Sequence, residues 1–333
     1  MFQYFLQMKA TFPRRFKTVL AIILLMIISG FQSMALAAAV QRQESFKSPE
    51  SAVKALAKAI KKQDRKALLR ILGHESEPLL MSGDKVQDQQ NMERFSQAYK
   101  EKNRIEKFSD SSVKLFIGTD DWPFPIPLVK VKQRWYFDVQ AGKDEVLHRR
   151  IGKNELCAVQ VCLAIMDAQR DYADLMDKLK GQPEYAQKFI GSREGTGGLY
   201  WNVAPGEKPS PLGPLVAQAH AEGYNKDISG YIPYHGYLYR ILLEQGENAS
   251  GGARNYVVNG RMIGGAAAVA FPAQYGVSGV HTFIVNQEGV VYRKDLGKAT
   301  TGIASTMIAF DPDKTWEKEE HSLPQKQQKP ERP

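Results

Sequence analysis

Residues 143–180 read KDEVLHRRIGKNELCAVQVCLAIMDAQRDYADLMDKLK, and this stretch decides the architecture. Leu156, Val159, Val161, Leu163, Ile165, Met166, Tyr172, Leu175 and Met176 recur at helical spacing. They wrap more of the helix than a single buried stripe would need. A helix apolar on more than one side lies between two layers, so the spacing predicts a long helix joining two halves. The division that follows is residues 38–150 as an N-terminal α+β domain, 151–190 as the connecting helix and 191–317 as a C-terminal β-rich domain. A Lys-, Glu-, Gln- and Pro-rich segment at 318–333 reads as a disordered tail.

Before the long helix, Ser48-Pro49-Glu50-Ser51 opens a helix. Ser48 suits the cap and Pro49 the first helical position, with Ser51 adding nothing. Ala52, Val53, Leu56, Ala59 and Ile60 follow at helical spacing. A shorter helix runs from Asp64 to a stop at Gly73, and a third covers 87–102 after the Ser82-Gly83-Asp84 linker. Val113–Gly118 is a strand. Pro123, Pro125 and Pro127 force an extended segment, and 128–132 with 134–138 form a hairpin about Lys132-Gln133. Helices followed by a curved antiparallel sheet resemble the small cone-shaped domains of the nuclear-transport-factor type.

After the long helix come two Gly/Pro-rich loops, 191–198 and 205–214. The remainder is β in character. Tyr237–Leu243 and Asn255–Asn259 read as strands, and the small apolar run 264–271 suits close packing against another element such as a helix. Val280–Val285 and Val290–Lys294 form a hairpin across Asn286-Gln-Glu-Gly289. A short helix at 299–308 closes the pattern. The fold class is α+β.

The chain has 333 residues and a formal net charge of +9. Lys9, Arg14, Arg15 and Lys17 precede an apolar stretch, Thr18–Gly30, and an Ala35-Leu36-Ala37 site. A basic segment, a short apolar core and an A-x-A site make residues 1–37 a cleavable signal peptide. The apolar core rises only ~20 Å as a helix, short for a membrane span. The expectation is a periplasmic protein with no membrane span after cleavage near Ala37. No Cys adjoins that site, so no lipid anchor is expected. Removing those four cations leaves about +5, and no Lys/Arg stripe interleaved with aromatics marks a nucleic-acid surface. Cys157 and Cys162 stand five residues apart on the long helix, about 140° around it, and cannot bond to each other. They read as small buried hydrophobes.

Several longer runs carry a resemblance. They are Asp121–Val129 (DWPFPIPLV), Arg149–Glu155 (RRIGKNE), Pro233–Tyr237 (PYHGY), Tyr275–Gly279 (YGVSG), Asn286–Gly297 (NQEGVVYRKDLG) and Asp311–Trp316 (DPDKTW). On these the chain resembles the exported bacterial family catalogued as domain of unknown function 2950, across nearly all of the sequence beyond the signal. The resemblance implies the bacterial envelope and no assigned activity. The C-terminal half alone is similar to the globular sheets of pilin-like proteins, without the pilin N-terminal helix and processing site.

No catalytic frame stands out. The six histidines are scattered singly. Gly276-Val-Ser278-Gly279 misses the spacing of a nucleophile elbow, and Ser82-Gly83-Asp84 is a turn. The Gly191–Gly198 cluster lacks the Gly-Lys-Ser/Thr of a phosphate loop. Asp311 and Asp313 fit a turn better than a calcium loop. The candidate binding residues are Tyr234, His235, Tyr237, Tyr239 and Arg240, near Tyr231. In a strand Tyr237 and Tyr239 share a face, and the preferred reading is a sheet face with tyrosines tipped into solvent, ahead of a ligand groove or partner surface. The expected function is a non-enzymatic binding or interaction protein acting on an envelope protein or a small ligand, with no cofactor and no metal. The alternatives are a hydrolase or small-ligand carrier with a pocket between the halves, lined from the Gly/Pro-rich loops, and a pilin-like component that self-associates.

Overall fold

The computed structural model describes residues 43–192, 197–224 and 232–320. The signal segment and Tyr231 lie outside them. The fold is α+β: the described residues form seven α-helices, one of them long and central, and mainly antiparallel sheets. Among the described residues no helix is long and apolar enough to cross a membrane.

The first half opens with α1 (Pro49–Lys61), α2 (Arg65–Leu72), the four-residue α3 (Glu77–Leu80) and α4 (Lys85–Glu101). Ser51 does more than expected. Its hydroxyl accepts from Ser48 N while Ser48 Oγ accepts from Ser51 N, both at 3.2 Å, so serine completes a reciprocal capping box usually closed by Glu or Gln. Asp64 caps α2 through Ala67 N, and Asp84 caps α4 through Gln87 N, each at 3.0 Å. Because the cap sits in the Ser82–Asp84 linker, α4 starts at Lys85 rather than Gln87.

The helices pack on an antiparallel sheet of β1 (Asn103–Ser109), β2 (Ser112–Ile117), β4 (Leu128–Val131) and β5 (Arg134–Phe137), with β3 (Trp122–Pro123) also pairing with β2. Lys132 and Gln133 turn the β4–β5 hairpin with φ of 48° and 65°, the left-handed pair that the strand twist calls for.

Helix α5 spans Val139–Lys180. Its 42 residues make a rod about 63 Å long. Asp138 caps its start, and Gly181 ends it at φ 71°. It begins earlier than expected. Its first turns, with Val139, Val146 and Leu147, belong to the apolar core of the N-terminal half. Its later turns, including Ala158, Cys162, Ile165 and Met176, join the core of the C-terminal half.

A loop region and α6 (Gly213–Ala221) lead to the second sheet. Its antiparallel order is β15 (Glu317–Lys318), β13 (Val291–Asp295), β12 (His281–Asn286), β11 (Ala267–Pro272) and β6 (Tyr237–Leu242), while β7 (Glu244–Gln245), β8 (Arg254–Asn255) and β14 (Ala309–Phe310) form one small sheet and β9 (Val257–Val258) and β10 (Arg261–Met262) another. Strand β11 is buried on both faces. Ala268 and Ala270 face α5, while Ala267, Val269 and Phe271 share a core with Ala304 of α7 (Thr300–Thr306). Small residues let two layers approach the sheet at once. Glu317 and Lys318 pair with Arg293 and Tyr292, so residue 318, read as the start of a disordered tail, is strand, and residues 321–333 lie outside the described residues. Arg293 also holds Glu317 and Glu319, each at 3.1 Å.

Candidate functional site

A cavity of about 490 Å3 opens in the N-terminal half. That volume is within the usual range of small-molecule sites. Leu56 and Ile60 of α1, Leu68 and Leu72 of α2 and Ile117 of β2 form part of an apolar lining. Trp122, Phe124 and Ile126, from the proline-rich extended segment, supply a wall. The remaining sides are two helix stripes. Gln87, Asn91, Phe95 and Ala98 recur along α4, and Val146, Arg149, Arg150, Lys153 and Asn154 along α5.

Polar groups gather where the starts of these stripes meet. Gln87 is buried; its Nε2 donates to Asn154 Oδ1 at 2.8 Å, and its Oε1 has no partner among the described residues. Asp88 accepts from Ser82 N at 3.0 Å, and burial pushes its carboxyl above the ordinary range against that bond and the charge of Arg150. The Arg150 guanidinium donates to the carbonyls of Pro78 and Leu79. Arg94, Arg149 and Lys153 are exposed lining residues, and the Arg149 guanidinium lies 5.3 Å from the Trp122 ring centre.

This polar end is also the joint between the halves. Asn154 Nδ2 donates to Ser278 O at 2.9 Å. Asp84 Oδ2 accepts from Tyr224 Oη at 2.8 Å and from Gly236 N at 2.9 Å. Gly236, at φ 76°, could carry no side chain, since a Cβ would lie 2.5 Å from Asn154 Nδ2.

The residues predicted as a cluster divide. Tyr237 and Tyr239 share a face as expected, but that face is buried beneath α5, so the solvent-tipped reading is corrected. Helices cover both sides of this sheet, which a strand pattern alone does not reveal. Tyr237 Oη donates to His281 O at 3.0 Å. Arg240 projects from the opposite face and donates to Ala304, Ser305 and Met307 carbonyls at the end of α7. Tyr234 and His235 pack with Tyr224, and His235 Nε2 lies 3.0 Å from Glu222 Oε2. Burial, the leading cause, pushes the His235 pKa down, and burial with the charge of Glu222 pushes the Tyr234 hydroxyl up.

Tyr234 and His235 border a second groove, of about 660 Å3, beside Leu156, Cys157, Val159 and Phe283. Among its charged lining groups, Glu155 pairs with the His281 ring at 3.0 Å and Arg293 with Glu319 at 3.1 Å. Cys157 and Cys162 are free thiols, and burial pushes Cys162 up to about 12. Among the described residues no three His, Cys, Asp or Glu side chains converge as a metal site. Among the described residues of 191–198 and 205–214, none lines either of these two spaces, and residues 193–196 of the first loop lie outside the described residues. The apolar cavity sits inside one half because the β-sheet and helices there leave it open. Asp313 accepts from Thr315 N at 2.8 Å, the turn role expected of it, whereas Asp311 accepts from Asn248 N at 2.9 Å, a contact 63 residues away in sequence.

The family described as "Protein of unknown function (DUF2950)" matches residues 43–319. The chain belongs to the DUF2950 family. No curated protein and no solved structure matches it. Neither the likeness to nuclear-transport-factor domains, read from element order, nor that to pilin-like sheets, read from the pattern of residues 236–291, is matched by these comparisons. In this DUF2950 chain, the runs on which the resemblance was read are not scattered in space. Trp122, Phe124, Pro125 and Ile126 of the first run and Arg149, Arg150, Lys153 and Asn154 of the second line the cavity. Gly236 and Ser278, from two others, meet Asn154 at the joint.

Proposed function

We propose that this DUF2950 chain is a bacterial envelope protein, exported by its N-terminal signal, that works by binding and holds a small apolar ligand in the N-terminal cavity. The cavity carries this reading: about 490 Å3 lined mainly by Leu, Ile and aromatic side chains, with the unpartnered acceptor Gln87 Oε1 among them. An apolar lining gains from displacing water, and a buried acceptor without a donor is costly until one arrives. The basic segment, apolar core and A-x-A site of residues 1–37 support export. The hydrolase alternative has the Glu222–His235 pair to stand on, but the thiol of Cys157 beside that groove is pushed up by burial, away from a reactive thiolate.

The test is titration of the mature protein with a fluorescent apolar probe, alongside mass spectrometry of an organic extract of protein purified from periplasm. Ala98→Trp, which fills the cavity from α4, should abolish probe binding while leaving the circular-dichroism spectrum unchanged. A probe that never binds, or that binds the filled variant equally well, would defeat the reading. Cell fractionation with and without residues 1–37 tests export.

A further inference from the structure

We infer that the ligand of this cavity is a single-tailed amphiphile with an anionic head group, its tail among the leucines and its head at the mouth between α4 and α5. This rests on the binding function proposed above. The charges facing the cavity do not balance. Arg94, Arg149, Arg150 and Lys153 line it against a single lining carboxylate, Asp88. Arg150 and Asp88 face each other electrostatically, and both are already engaged by backbone groups, so they offset one another. Arg149 shares its charge with Glu145 at 2.6 Å. Two cations then stand without a carboxylate. Among the described residues Arg94 bonds only the neutral Asn91, and Lys153, which acts electrostatically on His235 and Cys157, makes no hydrogen bond or ion pair.

These two come from facing helices, and their stems can lie along apolar surface while their charged ends remain at the water boundary. Such an arrangement suits a ligand whose tail is fully buried and whose charge stays at the rim. A neutral lipid would leave both cations uncompensated, and a cationic one would be repelled. Carboxylate and phosphate heads share the required chemistry.

Four ligands with one tail separate the possibilities: dodecanoate, dodecyl phosphate, dodecanol and dodecyltrimethylammonium, each titrated calorimetrically into the mature protein. The anionic pair should bind about tenfold more tightly than dodecanol, a preference that charge-assisted contacts readily supply and that shrinks with added salt. Dodecanoate binding tighter than dodecyl phosphate, or the reverse, assigns the head. Arg94→Gln/Lys153→Gln, altered only at exposed positions, should erase the anionic preference, bringing dodecanoate and dodecyl phosphate to the affinity of dodecanol. Dodecanol binding as tightly as dodecanoate, or a preference that survives the double variant, overturns the inference and leaves the binding function standing. Failure of all four ligands overturns both.

Discussion

Asp84 Oδ2 accepts a 2.9 Å hydrogen bond from the backbone N–H of Gly236, so one carboxylate near the start of the chain grips a turn in its far half. The same side chain caps α4 through Gln87 N and accepts from the Tyr224 hydroxyl. Asp84→Ala therefore removes a helix cap and leaves two buried donors unanswered. We expect a loss of about 3 kcal/mol, from a cap and bonds to a charged acceptor. Urea unfolding monitored by circular dichroism measures it, and a loss below about 1 kcal/mol would show that Asp84 is dispensable to the joint.

His235 makes stability depend on pH. Burial, with Lys153 assisting, holds its pKa below the ordinary value, while Glu222 and Asp84 pull the other way. Unfolded chains protonate this imidazole near about pH 6.5, and the folded protein does so only at lower pH. The contribution is present above about 6.5 and is lost as pH falls from there toward the folded pKa. Comparing urea midpoints at pH 7.5 and 5.5, wild type should lose more than His235→Asn, a residue that tolerates the φ of 50° found here. Equal losses would remove His235 as the cause.

The two thiols should differ in access. Cys162 is fully buried and Cys157 half-buried, and burial raises both pKa values. Maleimide at neutral pH should label Cys157 slowly and Cys162 only after denaturation. Intact-mass analysis of protein from an oxidising compartment should show no internal disulfide. Early labelling at Cys162 would contradict this packing.

Gly279 lies against Tyr237 so closely that an added Cβ would meet its hydroxyl at 2.1 Å. Tyr237 is fully buried and cannot swing away. Gly279→Ala should cost about 2–3 kcal/mol by overpacking, whereas Gly252→Ala, with open space around it, should show only the milder strain of its φ of 72°. Thermal denaturation of the two variants checks the order, and a reversal would be decisive.

Much of the scaffold was legible because local chemistry agreed with the global fold. The β12–β13 hairpin joins two β-branched and aromatic runs through a turn at Gly289, at φ 77°, and α1 and α2 announce their caps. Strand β1 was not legible: Asn103-Arg-Ile-Glu-Lys-Phe-Ser109 is largely exposed on both faces and shows no period. Helix α6 hid behind Pro214 within a loop-like composition. Alternation puts Tyr237 and Tyr239 on one strand face, but whether that face meets water depends on α5, which is remote in sequence. The cavity left no local signal at all. Its leucines and isoleucines have the spacing of any core-facing helix, and only assembly shows that the space between them is unfilled.

Helix α5 serves the cavity with Val146 to Asn154 and the second core with Ala158 to Met176, without a break between them. Among the described residues, the two cores are therefore joined through one unbroken helix. A cut at 150/151 would sever a continuous hydrogen-bonded rod and strip the cavity of Lys153 and Asn154. A ligand that displaced one turn of α5 at the cavity would tug on every later turn. Occupancy at one end can then be felt at the other as motion of a single stiff lever.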